Sequence, residues 1–174
     1  MRLFWFLRLR IYSLFMCEVG WFGYLGPTTF IKGLRNISLG HDCRIFPGAR
    51  LEALGVGKLL IGDYFRCGQN VFMTCSDKNI SIGPHSVFSA NVFIGTQKND
   101  FTKNRIEHDK SWFKDNVSEY EVVIGDRCFV GYGAVILPGT ILGNNCVVGA
   151  NAVVSGSHPD NSIIAPPKFI KLNR

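Results

Sequence analysis

Four histidines, His41, His85, His108 and His158, are the side chains of this sequence that exchange a proton near neutral pH without help from their surroundings. His108 stands apart from the others. It lies between Glu107 and Asp109 in a long polar stretch, GTQKNDFTKNRIEHDKSWFKDNVSEYE, where either acid can orient the imidazole as a general base toward a hydroxyl or an amine. The plainer alternative is a solvated loop histidine, since adjacency in sequence makes no hydrogen bond. The six cysteines include no C-x-x-C pair, so neither a zinc site nor a redox dithiol is expected, and the thiols read as reduced packing residues of a cytoplasmic chain.

The elements that must position His108 repeat with a fixed period. From Ile124 to Val154, IGDRCFVGYGAVILPGTILGNNCVVGANAVV, every sixth residue is aliphatic: Ile124, Val130, Ile136, Leu142, Val148 and Val154. Four positions after the first five of these stand Cys128, Ala134, Thr140, Cys146 and Ala152, all small, and glycine follows the aliphatic residue at Gly125, Gly131, Gly143 and Gly149. Such a period outranks local propensity. It implies short strands joined by bends, three to a triangular coil, with the aliphatic anchor inward, the small residue where the interior narrows, and glycine for backbone angles a side chain forbids. The same phase runs through Leu39, Ile45 and Leu51; Ile61, Cys67 and Met73; and Ile82, Phe88 and Ile94. His41 and His85 fall just after anchors, where side chains face solvent, and His158 falls in the closing turn.

Three hexads would fill eighteen of the thirty positions from Ile94 to Ile124, leaving about twelve to be ejected as a loop at 95–121. Smaller extra corners are expected at LGVGK and SDKN. The domain reading is therefore a lead-in arm at 1–36, a solenoid at 37–164 and a tail at 165–174. Met1 to Cys17, MRLFWFLRLRIYSLFMC, is apolar but carries Arg2, Arg8 and Arg10, too interrupted to span a membrane and without the form of a signal peptide. It reads as a helix or arm packed on the first coil or on a neighbouring subunit, with docking on a membrane surface as the alternative. The formal net charge of +6 suits phosphate-bearing ligands or an anionic surface. Nucleic acid is not expected, because no basic run or nucleic-acid motif accompanies that charge.

The segment from Ile124 to Val154 resembles the C-terminal coils of the hexapeptide-repeat acyltransferases, among them bacterial polysaccharide and sugar O-acetyltransferases. The resemblance implies an all-β fold, a left-handed parallel β-helix with a short N-terminal helix or arm and an ejected active-site loop, assembled as a homotrimer. It further implies acetyl-CoA as donor, no metal, and a sugar or glycan acceptor in surface polysaccharide synthesis, with the protein cytoplasmic or peripheral at the inner membrane. Donor contacts map onto the corner residues Gly131, Tyr132, Gly149 and Ala150. Lys168, in the shortened match Ala165-Pro166-Pro167-Lys168, maps onto a cation beside a coenzyme A phosphate. One departure bears on catalysis: many of these enzymes carry His-x-His at the start of the loop, where this chain has Gln97-Lys98-Asn99. Either His108 supplies the base from further along the loop, or transfer has been lost and the chain is a scaffold or glycan-binding subunit. N-acylation of an amino sugar or amino acid is the enzymatic alternative. Zinc-dependent carbonic anhydrase chemistry on this fold is disfavoured, because His41, His85 and His108 fall on separate coils.

Overall fold

Short strands separated by bends stack in register into three parallel sheets. The computed structural model describes residues 2–99 and 117–166. Two sheets hold seven strands and the third six, and successive strands of each sheet come from successive coils. The coil Val122–Ile124, Phe129–Val130, Val135–Ile136 is representative, contributing one strand to each sheet. The result is a left-handed β-helix of about six turns.

The aliphatic anchors point inward as the period predicts. Ile124, Val130, Ile136, Leu142, Val148 and Val154 are buried, as are the small residues Cys128, Ala134, Thr140, Cys146 and Ala152. Where the interior is wider, Phe65 takes the small-residue slot and packs edge to face on Phe88, with ring centroids 4.9 Å apart. Each fully buried aliphatic or aromatic side chain contributes roughly 1.5–3 kcal/mol through removal from water. Five of the six cysteines are buried and Cys17 is exposed, all of them free thiols. Burial pushes the Cys67 thiol up to about 12, as expected of a packing residue.

The column begins earlier than the sequence reading placed it. Glu18–Val19, Tyr24–Leu25 and Phe30–Lys32 form a complete first coil, pairing with Ser38–Leu39, Arg44–Ile45 and Arg50–Glu52. Its inward residues Val19, Leu25 and Ile31 are six apart and pair with the anchors Leu39, Ile45 and Leu51, and the glycines first read as lead-in turns, Gly20 and Gly26, follow two of them. The role assigned to glycine also changes. Gly125 is not left-handed. A Cβ there would lie 2.6 Å from the Gly143 carbonyl carbon, and one at Gly131 would lie 2.6 Å from the Ala150 nitrogen, so glycine allows adjacent coils to touch. Left-handed geometry falls two residues later, at Arg127, Gly133, Asn145 and Asn151.

The helix α1, Arg2–Ser13, closes the N-terminal end. Leu9 and Met16 join the core, and Trp5 packs on Tyr24 and Phe46. Arg8 Nη2 donates to the Thr29 carbonyl at 3.0 Å, and Arg10 Nη2 donates to the Gly20 carbonyl. At the other end Ser157–His158 continues the first sheet, with His158 opposite Leu142. His158 therefore occupies an anchor position, where the sequence placed it in a closing turn. Its Nε2 lies 3.1 Å from the Ser155 carbonyl oxygen.

Because the contacts at Gly125 are backbone atoms that cannot turn aside, Gly125→Ala is expected to destabilise the column by about 1–3 kcal/mol. Thermal unfolding should show a midpoint several degrees lower with the circular dichroism of the folded state unchanged.

Candidate active site

All the insertions leave the column at one edge, the corner between the third sheet and the next coil of the first. Residues 54–58 and 76–79 enlarge that corner, and on the following coil Gln97–Asn99 and Val117–Glu119 form a short antiparallel ribbon there. The column runs past the ribbon undisturbed: Ile80, Ser81 and Ile82 pair directly with Val122, Val123 and Ile124. A segment can be ejected this way because the ladder needs only the strands on either side of it.

Glu119 holds the neck of that segment to the scaffold. Its carboxylate accepts from the Asp77 amide at 2.6 Å, the Lys78 amide at 3.2 Å and Gln97 Nε2 at 3.0 Å. Thr96 is buried beneath, and its carbonyl accepts from the Tyr120 amide at 2.9 Å. Gln97, at the place where the resemblance calls for a histidine, is thus engaged in fastening the two ends of the loop together. His108, with Glu107 and Asp109, lies outside the described residues, as does Lys168.

The corner between the second and third sheets brings the predicted donor residues together. Tyr132 and Ala150 are stacked one coil apart, and the Tyr132 carbonyl accepts from the Asn151 amide at 2.7 Å. The Gly131 amide donates to Val148 at 2.8 Å and the Gly149 amide to Ile164 at 2.7 Å, so both are committed to the ladder. The next amide on each coil differs. Those of Tyr132 and Ala150 have no acceptor among the described residues, and both residues are exposed. Two N–H groups left without an acceptor one coil apart, beside a residue as small as alanine, fit an extended ligand arm carrying amide carbonyls. The Tyr132 ring leans away from Ala150, its hydroxyl accepting from Asn91 Nδ2 at 2.6 Å, so it flanks the corner without covering Ala150. Gly131 is required by coil packing whatever binds there.

The remaining histidines lie elsewhere. His41 Nδ1 accepts from the Trp21 amide at 3.3 Å, and His85 stacks on Tyr64. Among the described residues no three potential metal ligands converge. Sequence reasoning missed Glu119 because an acid three residues before the repeat resumes looks like any other loop charge. The free amides were equally hidden, since nothing in a side-chain pattern tells which N–H the ladder consumes.

Comparisons with known proteins agree with this geometry. Residues 121–155 match the family model described as the hexapeptide repeat of succinyl-transferase. WbbJ of Escherichia coli K12, named as a lipopolysaccharide biosynthesis O-acetyl transferase, is 33% identical over 151 residues, 82% of this chain and 74% of the relative. WcaF of the same organism, named as a colanic acid biosynthesis acetyltransferase, is 32% identical over 134 residues, 77% of this chain and 67% of the relative. Among solved structures, the Bacillus cereus N-acyltransferase AntD, in complex with dTDP and 3-hydroxybutyryl-CoA, superposes with a TM-score of 0.79 at 21% identity. The match covers 96% of this chain and 88% of that one, a likeness of fold.

The clamp at the neck predicts that Glu119→Ala frees the two ends of 97–119 without disturbing the coils. Limited trypsin digestion should cut within 97–119 several-fold faster than in the wild type, while cleavage elsewhere keeps its rate. Equal rates would show that Glu119 fastens nothing.

Proposed function

The chain belongs to the hexapeptide-repeat acyltransferase family, and from that membership we propose that it moves an acetyl group from acetyl-CoA to a sugar hydroxyl in the synthesis of a bacterial surface polysaccharide. The observation that carries this reading is the pair of stacked free amides at Tyr132 and Ala150, lying within the coils that match the family model. The names of the two Escherichia coli relatives support acetyl transfer in polysaccharide synthesis.

Acetyl-CoA, when bound along this corner, supplies the activated acetyl group. The small Ala150 leaves room for its pantetheine arm beside the corners of Gly131 and Gly149, the Ala150 amide meets a carbonyl of that arm, and Lys168 is assigned to a phosphate as a cation. His108 takes the proton from the acceptor hydroxyl as its oxygen bonds to the thioester carbon, and returns it to the coenzyme A sulfur as the C–S bond breaks, an exchange open to an imidazole because its unperturbed pKa is near 6.5. The donor for the developing oxyanion is an amide near Gly131, and since the Gly131 N–H is already bonded, Tyr132 N–H is the one available.

We further assign the protein a homotrimeric state. Phe129, Val147 and Ile163 stack in register on the outer face of the second sheet, exposed by 46%, 39% and 80%. This apolar stripe adjoins the donor corner, so a neighbouring column seated on it would wall the groove and bring its own loop across.

Replacing His108 with alanine is expected to leave acetyl-CoA binding by calorimetry unchanged and to lower coenzyme A release with a sugar acceptor at least 10²-fold, a typical general-base contribution. Retained turnover would remove His108 from the mechanism, and absence of acetyl-CoA binding in both proteins would favour a scaffold role. Offering amine and hydroxyl acceptors in the same assay separates N- from O-acylation.

A second assignment concerns location. No helix among the described residues is long and apolar enough to cross a membrane, and α1 is built inside out. Its exposed side chains Leu3, Phe4, Leu7 and Ile11, followed by Leu14 and Phe15, are all apolar, while Arg8 and Arg10 turn in toward the column. This apolar face supports a cytoplasmic protein lying peripherally on the inner membrane. Deleting the helix would uncover the core beneath Leu9, so the informative change is Leu7→Glu with Ile11→Glu. That variant should keep its thermal midpoint within a few degrees and lose co-sedimentation with vesicles containing phosphatidylglycerol; undiminished co-sedimentation would refute the assignment.

A further inference from the structure

The corner between the first and second sheets repeats one conformation in every coil. Its third residue is left-handed at Phe22, Asp42, Tyr64, His85, Arg127, Asn145 and Asn161, with φ between 48° and 67°. Asn and Asp tolerate this conformation, whereas bulky side chains rarely adopt it. Two of the first four coils nonetheless place a bulky ring there, Phe22 and Tyr64, and a third has His85, which tolerates the conformation. Phe22 is 78% exposed and Tyr64 45% exposed, so burial does not compensate the strain, and such outliers concentrate at functional sites.

The rings are arranged along the column. Tyr64 and His85 stack with centroids 4.7 Å apart and planes 9° from parallel, close to the separation of paired strands. Tyr64 therefore turns its other face along the column axis toward the previous coil, where the equivalent residue is the short Asp42. Phe22 lies one coil beyond, its backbone about 10 Å from that of Tyr64 at two strand spacings. Between them opens a groove of about 470 Å³ lined by Trp21, Phe22, His41, Asp42, Arg44 and Tyr64. A ring packed between two aromatic faces needs about 4 Å to each, so the gap admits one pyranose.

The walls are polar where hydroxyl groups would fall. Arg44 holds the Asp42 carboxylate through two hydrogen bonds, Nε to Oδ1 at 3.1 Å and Nη2 to Oδ2 at 2.9 Å, leaving acceptor capacity on both oxygens. The Trp21 amide donates to His41 Nδ1 at 3.3 Å, an arrangement that leaves Nε2 of a neutral imidazole as a donor. Arg10 lies over the Trp21 ring, 5.4 Å from its centroid, steadying the side wall. A second groove of about 390 Å³, lined by Trp21 and His41 with Glu18, Ser38 and Asp63 among others, continues from the first.

We propose that this edge is a glycan-binding site, in which Phe22 and Tyr64 sandwich one pyranose ring of an oligosaccharide and Asp42, Arg44 and His41 bind its hydroxyls. It lies on a different edge of the column from both the 97–119 loop and the Tyr132–Ala150 corner, and at the end closed by α1. Binding here needs neither acetyl-CoA nor His108, so it stands or falls apart from the transfer reaction. Its effect would be to hold a polymeric or lipid-linked acceptor on the enzyme while another of its sugars reaches the loop.

The test uses the occupants that other coils carry at the same position. The full chain and its Phe22→Asn and Tyr64→Asn variants are titrated by calorimetry with cellotetraose, maltotetraose and chitotetraose, and their thermal midpoints are measured. The proposal expects saturable millimolar binding of at least one tetrasaccharide by the wild type, weakened at least tenfold in each variant, with midpoints unchanged or raised because asparagine relieves the left-handed strain. It is overturned if none of the three binds, if binding survives both substitutions, or if the substitutions lower the midpoint, which would make the rings packing elements.

Discussion

Everything in this protein answers to the distance between stacked coils. Paired strands repeat at about 4.8 Å, and at the corners Gly125 over Gly143 and Gly131 over Ala150 have no space for a Cβ. The same stacking commits the amides of Gly131 and Gly133 to neighbouring coils and leaves that of Tyr132, between them, without an acceptor among the described residues. A packing rule thereby creates a row of unused hydrogen-bond donors. The donor corner follows from the scaffold with no residue specialised to make it, which is why small corner residues are poor markers of ligand binding.

A column held by ladders tolerates change at its edges and little in its interior. Residues 54–58, 76–79 and 97–119 enlarge the same edge on successive coils, yet Ile80 still pairs with Leu59 and Val122. Glu119 supplies what the ladder cannot, three hydrogen bonds joining both ends of the ejected segment to the coil beneath. Loops on a rigid scaffold commonly carry function, and here the neck is ordered by the scaffold it leaves, setting the start and end of the segment that bears His108.

The repeat was plain in the sequence wherever the inward anchor was aliphatic and glycine followed it, as from Ile124 to Val154. The first coil was obscured because Trp21, Phe22 and Pro27 fill its corners and make it look like irregular lead-in, although Val19, Leu25 and Ile31 keep the period. Glycine was recognised as essential for a conformational reason when the operative one is close approach, a distinction that depends on a neighbour eighteen or more residues away. Of the candidate site, the stacking of Tyr132 over Ala150 could be counted from the period. The freedom of their amides, the clamp of Glu119 and the inward turn of Arg8 and Arg10 depend on contacts across coils that no local pattern encodes.

The helix packs on the first coil, one of the placements read for it, and turns its arginines inward. In an ordinary amphipathic helix they would mark a polar side facing water. The first coil instead offers the carbonyls of Gly20 and Thr29 at its open end, strong acceptors that a guanidinium satisfies better than an aliphatic chain. Arg8 and Arg10 take those bonds, Leu9 fills the core between them, and the remaining apolar residues are left on the outside. Capping the column thus generates the exposed face of α1. It also places that face beside the aromatic edge, because Arg10 reaches both the Gly20 carbonyl and the Trp21 ring. The apolar cap and the Phe22–Tyr64 groove thus meet at the same end of the column, linked through the Arg10 side chain.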